Sequence, residues 1–247
     1  MRLTYVGHAT ALIELDGKRF LTDPLLTRWL GPLRRQIAPV GAETLGEIDA
    51  VFLSHLHHDH LHIPSLARLE PETRLIVPNG AGELLAARGF RDVQEVRPGD
   101  RFVIGGVDID IVPAVHDPSR HLSSVTAEPQ GFLVRGSRTV YFAGDTDLFP
   151  EMRDFAGSID LAMIPIWGWG PTLGPGHLDP PRAAEAVALL RPRIAVPIHW
   201  GTYFPAGLPW RRRSRLREVS REFQRLTHSL APDTEVRVVP PGESTIV

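Results

Sequence analysis

The chain contains no cysteine, which excludes disulfides, thiolate nucleophiles and sulfur-ligated metal. Any metal must sit on nitrogen and oxygen. No run approaches the ~20 apolar residues needed to cross a bilayer. Met1 to Leu15 alternates apolar and polar residues like a strand, without the continuous apolar stretch of a secretory signal. The expectation is a cytoplasmic protein with no transmembrane segment. A formal net charge of only -2 gives no global attraction to nucleic acid or anionic lipid, so such affinity would need a local patch. Fixed-period repeats and long low-complexity tracts are also missing. What remains is 43% hydrophobic and 23% charged residues, enough to bury a substantial core. The length predicts one domain over residues 1–247.

Short β-type runs recur along the chain: Leu3 to Val6, Ala11 to Leu15, Arg19 to Thr22, Ala50 to Leu53, Arg74 to Val77, Val107 to Val112, Phe132 to Val134, Thr139 to Phe142, Leu161 to Ile164 and Ile194 to Ile198. Helical patterns are interleaved. Asp179 can cap a helix with Pro180 and Pro181 in its first turn, and Ala183, Ala186, Val187 and Leu190 follow at helical spacing. Leu216, Val219, Phe223, Leu226 and Leu230 form a second apolar stripe, and Asn79 to Arg88 is a weaker helical pattern. Strand-rich stretches with helices in both halves predict two packed sheets with helices outside. Leu25 to Gly46, punctuated by Pro32 and Pro39, reads as an extended excursion able to cover a site.

The densest chemical signal is Ser54-His55-Leu56-His57-His58-Asp59-His60-Leu61-His62, directly after an apolar strand. Alternate residues of an extended or gently turning chain project to one side, so His55, His57 and Asp59 can converge while His60 enters from the next turn. Imidazole and carboxylate suit zinc, and also iron or manganese. Three other β-type runs end in a residue of the same kind: His116, Asp145 and His199. Each alone reads more readily as a hydrogen-bonded structural residue than as a ligand.

Taken in order, His55-x-His57-x-Asp59-His60, His116, Asp145 and His199 resemble the metallo-β-lactamase superfamily. The segments Gly7-His8-Ala9-Thr10, Thr22-Asp23-Pro24, Gly144-Asp145-Thr146 and His199-Trp200-Gly201-Thr202 resemble the branch with N-acyl-phosphatidylethanolamine phospholipase D and ascorbate-6-phosphate lactonase-like proteins. The resemblance implies an α/β fold, a four-layer αββα sandwich with its ligands on loops at one edge of paired mixed sheets. It also implies that His55, His57 and His116 hold one divalent ion, that Asp59, His60 and His199 hold another, and that Asp145 bridges them. Zinc is the first expectation for both, with manganese or iron as alternatives. Two such ions about 3.5–4 Å apart can share a hydroxide and clamp a substrate oxygen. Asp59 could also orient that hydroxide or relay its proton.

The implied activity is hydrolysis, first of a phosphodiester or related phosphorylated substrate, small or lipid-like, with lactone or amide hydrolysis as the alternative. A mononuclear iron oxygenase and a non-catalytic metal-binding protein are readings of another class. His177 matches the phospholipase-like pattern and is assigned a catalytic role toward substrate or leaving group. His8 stands either behind the metal ligands as a hydrogen-bonding partner or in a structural hydrogen bond. His58 and His62 fall outside the motif, His121 has no matched counterpart, and His228 is expected to face solvent. Asp23 is expected to fix loops near the site, and Asp147 to support it without binding metal. Trp167, Trp169, Trp200 and Trp210, with Gly168, Gly170, Gly174 and Gly176 nearby, read either as an aromatic pocket or as ordinary packing. Arg211, Arg212, Arg213, Arg215, Arg217, Arg221 and Arg225 read as a solvated helix face or as a surface for phosphate, anionic headgroups or a partner, which leaves peripheral membrane contact open. Nucleic acid is not an expected partner.

Overall fold

The computed structural model describes residues 1–38, 41, 45–118, 125–167, 174–207 and 215–247. His121, Trp169, Trp210, Gly168, Gly170 and Arg211 to Arg213 lie outside the described residues, as do the side chains of Arg215, Leu216 and Arg217. The strands are β1 (Arg2–Gly7), β2 (Thr10–Leu15), β3 (Lys18–Thr22), β4 (Trp29–Leu30), β5 (Leu33–Arg35), β6 (Ala50–Phe52), β7 (Leu75–Pro78), β8 (Val93–Val96) and β9 (Arg101–Ile104). They continue with β10 (Val107–Pro113), β11 (Gln130–Arg135), β12 (Thr139–Phe142), β13 (Leu161–Pro165), β14 (Ile194–Ile198), β15 (Tyr203–Pro205), β16 (Glu235–Val236) and β17 (Ser244–Ile246). The helices are α1 (Ile63–Leu66), α2 (Gly82–Ala86), α3 (Pro180–Leu190) and α4 (Arg215–Leu230), with a 3-10 segment at Pro150–Phe155.

One seven-stranded sheet has the order β17-β1-β2-β3-β6-β7-β8 and the other β16-β14-β13-β12-β11-β10-β9. Each is mixed. In the first, β17, β1, β2 and β3 are antiparallel and β3, β6, β7 and β8 parallel. In the second, β9 to β12 are antiparallel and β12, β13, β14 and β16 parallel. Parallel neighbours require crossovers, and the helices supply several of them.

Strand alternation explains the layers. On β3 and β6, Phe20, Ala50 and Phe52 enter the central core, whereas Leu21, Val51 and, just after β6, Leu53 enter a second cluster with Leu66 of α1 and Leu85 of α2. The ring of Phe52 stacks on Phe20 at 5.2 Å within its own sheet and on Phe132 of the other sheet at 4.8 Å. That second contact joins the sheets face to face; such aromatic pairs add about 0.5–1.5 kcal/mol beyond burial. Helix α3 packs against β13 and α4, completing an αββα sandwich. It begins as expected: the Asp179 side chain accepts from Arg182 N–H at 3.0 Å, and Pro180 opens the first turn.

Each β-type run read from the sequence falls on a strand. The Asn79 to Arg88 pattern shortens to α2, whose N-cap Ala81 offers no side-chain hydrogen bond. The excursion after Leu25 carries β4 and β5, which form a small sheet with β15, just beyond His199. Among the described residues, no helix is long and apolar enough to cross a membrane.

Candidate metal centre

His8, Asp23, His55, His116, Asp145 and His199 all follow the C-terminal ends of strands: β1, β3, β6, β10, β12 and β14 respectively. The strands are buried, so their ends deliver polar groups to one edge of the sandwich. After β6 the chain turns, with His60 and Leu61 N–H groups both donating to His57 O at 3.0 and 2.8 Å. Gly144, at φ +63°, lets the loop carrying Asp145 approach this turn, because a Cβ there would lie 2.5 Å from Ser54 Cβ.

Two donor sets result. The ligand-type atoms of His55, His57 and His116 lie within 4.8 Å of one another, and so do those of His8, Asp59, His60 and His199. Asp145 Oδ2 lies 3.2 Å from His60 Nε2 and 3.3 Å from His199 Nε2 in the second set, and Asp145 also groups with His116 of the first set and with His177. The structure thus brings together all the residues singled out in the sequence as donors: His55, His57, Asp59, His60, His116, Asp145 and His199.

The surrounding hydrogen bonds orient the rings. His55 Nδ1 donates to Ser54 Oγ at 2.9 Å, which donates to Asp23 Oδ2 at 2.6 Å. His60 Nδ1 donates to the same oxygen at 2.7 Å, and Asp23 Oδ1 accepts from Ser54 N–H at 2.8 Å. His116 Nδ1 donates to Gly176 O and His199 Nδ1 to Trp167 O, both at 2.6 Å. With Nδ1 engaged in each, Nε2 is the ring nitrogen left to face the centre. His57 presents Nδ1, 2.9 Å from His116 Nε2.

The electrostatics separate the groups by charge. Burial alone would raise the Asp145 carboxyl, but His199 and His60 hold it well below the usual carboxylate range. Asp59 is likewise pushed up by burial and brought well below its ordinary value by His60 and by hydrogen bonds from His199 and His8. His60 resists its own burial because Asp145, Asp59 and Asp23 surround it, and its pKa rises. Burial and neighbouring imidazoles keep His55 neutral, and burial lowers His116 to about 4 and His8 to about 3. His199 is likewise raised against its own burial by Asp145 and Asp59. The two carboxylates thus draw positive charge onto His60 and His199 beside neutral His55 and His116, a charge that a cation would supply in place of those protons. His55 Nε2 and Asp145 Oδ1 are buried with no hydrogen-bond partner among the described residues. Each such orphan costs about 1–3 kcal/mol, a cost that coordination to a metal ion would relieve. The residues fit divalent metal.

The remaining residues sort by contact. His177 is half-buried, its Nε2 3.9 Å from Asp145 Oδ2 and its ring 4.6 Å from that of His116. His58 and His228 are exposed, and His62 Nδ1 pairs locally with Ser65 Oγ at 2.7 Å. Trp200 serves packing: it is buried, stacks with Tyr5 at 6.5 Å and donates from Nε1 to Pro197 O. Asp147 accepts from Gly176 N–H at 3.3 Å and pairs with Arg182 at 2.6 Å, bracing the loop that carries His177. Ser54, Arg182 and the carbonyls of Gly176 and Trp167 were not singled out in the sequence. For Ser54 the available signal was its position between a buried strand and His55.

Comparison with known proteins agrees with this geometry. The sequence profile of the family described as Beta-lactamase superfamily domain matches residues 18–200. The chain is 36% identical over 211 residues to a UPF0173 metal-dependent hydrolase of Opitutus terrae, covering 82% of this chain and 86% of that protein. It is 35% identical over 230 residues to N-acyl-phosphatidylethanolamine-hydrolyzing phospholipase D 1 of Caenorhabditis elegans, covering 83% of this chain but only 64% of that relative's length. Among solved structures, Igni18, a metallo hydrolase from Ignicoccus hospitalis, matches with a TM-score of 0.76 at 26% identity, over 99% of this chain and 97% of that one. Sandwich, donor cluster and relatives together make this chain a member of the beta-lactamase superfamily domain family and a metal-dependent hydrolase of the metallo-β-lactamase fold.

Proposed function

We propose that the chain hydrolyses a phosphodiester or related phosphorylated substrate at a centre of two divalent ions, zinc before manganese or iron. His55, His57 and His116 would hold one ion, Asp59, His60 and His199 the other, and Asp145 both. The observation that carries this reading is the placement of Asp145 Oδ2 against His60 and His199, with Asp145 also grouped with His116. When bound, such ions polarise a phosphoryl or carbonyl oxygen and bring the pKa of water toward ~7.

The chain's own residues supply the rest. Asp59, held ionised, is a hydrogen-bond acceptor able to orient an attacking water. His177 stands on the more open side of Asp145, suited to giving a proton to the departing oxygen. The phospholipase D relative favours a phosphodiester, small or lipid-like, over a lactone. The test is a panel of a phosphodiester, a sugar-phosphate lactone and an acyl homoserine lactone on metal-loaded protein. The phosphodiester should be preferred, and Asp145→Ala should lower kcat by at least about 100-fold, the scale of losing one preorganised electrostatic contact. Faster turnover of either lactone would move the assignment to a lactonase.

A further inference from the structure

One residue at the edge of the centre is neither in the proposed donor set nor explained by packing alone. His8 follows β1, is only 1% exposed, and has its backbone at φ 59°, a left-handed conformation costly for a residue with a Cβ. The neighbouring strand end shares the feature, with His199 at φ 63°. The two are tied together: His199 N–H donates to His8 O at 2.8 Å, Tyr5 OH donates to the same carbonyl at 3.0 Å, and His8 N–H donates to Thr202 Oγ1 at 2.7 Å. This arrangement turns the His8 ring inward. Its Nε2 lies 3.0 Å from Asp59 Oδ2, and its centroid is 3.9 Å from that of His199.

We infer that His8 is a positioning residue for the half of the centre formed by Asp59, His60 and His199: its Nε2–H fixes the Asp59 carboxylate and its carbonyl fixes the His199 backbone. An ionised carboxylate only accepts hydrogen bonds, so the proton between these atoms belongs to His8. A single residue thereby aligns one donor from each sheet. The inference rests on the proposed assignment of Asp59, His60 and His199 to one ion. A direct-donor role for His8 would require a bare Nε2, and that is the competing possibility because His8 groups with those same residues.

Metal content and affinity test this without any substrate. Wild-type protein, His8→Ala and His8→Gln would be loaded with zinc, counted by elemental analysis and titrated against a competing chelator. The expected result is two ions in the wild type, with the weaker-held ion of His8→Ala losing roughly 10–100-fold in affinity, the usual cost of removing a hydrogen bond behind a ligand. His8→Gln, which keeps an N–H at similar reach, should restore most of that loss. Should His8→Ala fail to fold, long-range 1H–15N spectra of zinc-loaded wild type decide the matter, with a proton expected on His8 Nε2. Two ions at unchanged affinity in His8→Ala, failure of His8→Gln to rescue, or a bare Nε2 would overturn the inference alone. Uptake of a single ion by wild type would remove the dinuclear assignment and the inference with it.

Discussion

Tyr141 and Asp23 show how differently one buried polar atom can behave in this protein. Tyr141 lies in β12 with no exposure, its hydroxyl has no hydrogen-bond partner among the described residues, and burial pushes its pKa up. That hydroxyl costs free energy on folding, so Tyr141→Phe should leave stability unchanged or raise it by up to ~1 kcal/mol. Thermal melting would register the gain as roughly 2–4 °C, and a marked loss would mean that the oxygen has a partner. Asp23 is equally buried but accepts from Ser54 N–H, Ser54 Oγ and His60 Nδ1. Its expected role in fixing loops was legible in Thr22-Asp23-Pro24; its grip on His60 was not. The same division runs through the site. Donor residues could be read because imidazoles and carboxylates at strand ends are chemically distinctive. The groups that orient His116 and His199 are the carbonyls of Gly176 and Trp167, and a carbonyl carries no residue identity.

Among the elements, α3 could be read in full and the short edge strands could not. A cap, two prolines and a clean apolar stripe announce α3, whereas β8 and β9 are only four residues each with largely half-exposed patterns. Edge strands bury one face poorly, so alternation has little to record. The weaker helical pattern at Asn79 to Arg88 overran α2 for a related reason: nothing in it caps an end. Cap chemistry also reaches the site, since Asp179 begins α3 two residues after His177 and Arg182 in its first turn pairs with Asp147. Asp179→Ala should therefore cost about 1 kcal/mol, seen as a melting point lower by roughly 2–4 °C. It should also slow turnover, by less than the ~100-fold that a 1 Å misplacement of a reacting group can cost, while leaving bound metal unchanged. A normal rate on a destabilised helix would show that His177 is positioned independently of α3.

On the scale of the whole molecule, the centre spans the seam between the sheets. His55, His57, Asp59 and His60 follow β6 of one sheet, whereas His116, Asp145 and His199 follow β10, β12 and β14 of the other. Away from this edge the sheets are joined by apolar contacts such as Phe52 on Phe132; here they meet through buried imidazoles and carboxylates. Cations shared across the seam would act as a cross-link present only in the folded state, because the unfolded chain scatters the donors over more than a hundred positions, from His55 to His199. A ligand that binds only the folded form at 100 times its Kd adds about 2.7 kcal/mol. At about 2–4 °C per kcal/mol for a chain of this size, chelation should lower the melting temperature by roughly 5–10 °C, and zinc should restore it. The same experiment on Asp145→Ala separates cross-linking from incidental binding. That variant should melt at a temperature much less sensitive to chelator, and a full wild-type response in it would show that metal stabilises the fold without joining the two sheets through Asp145.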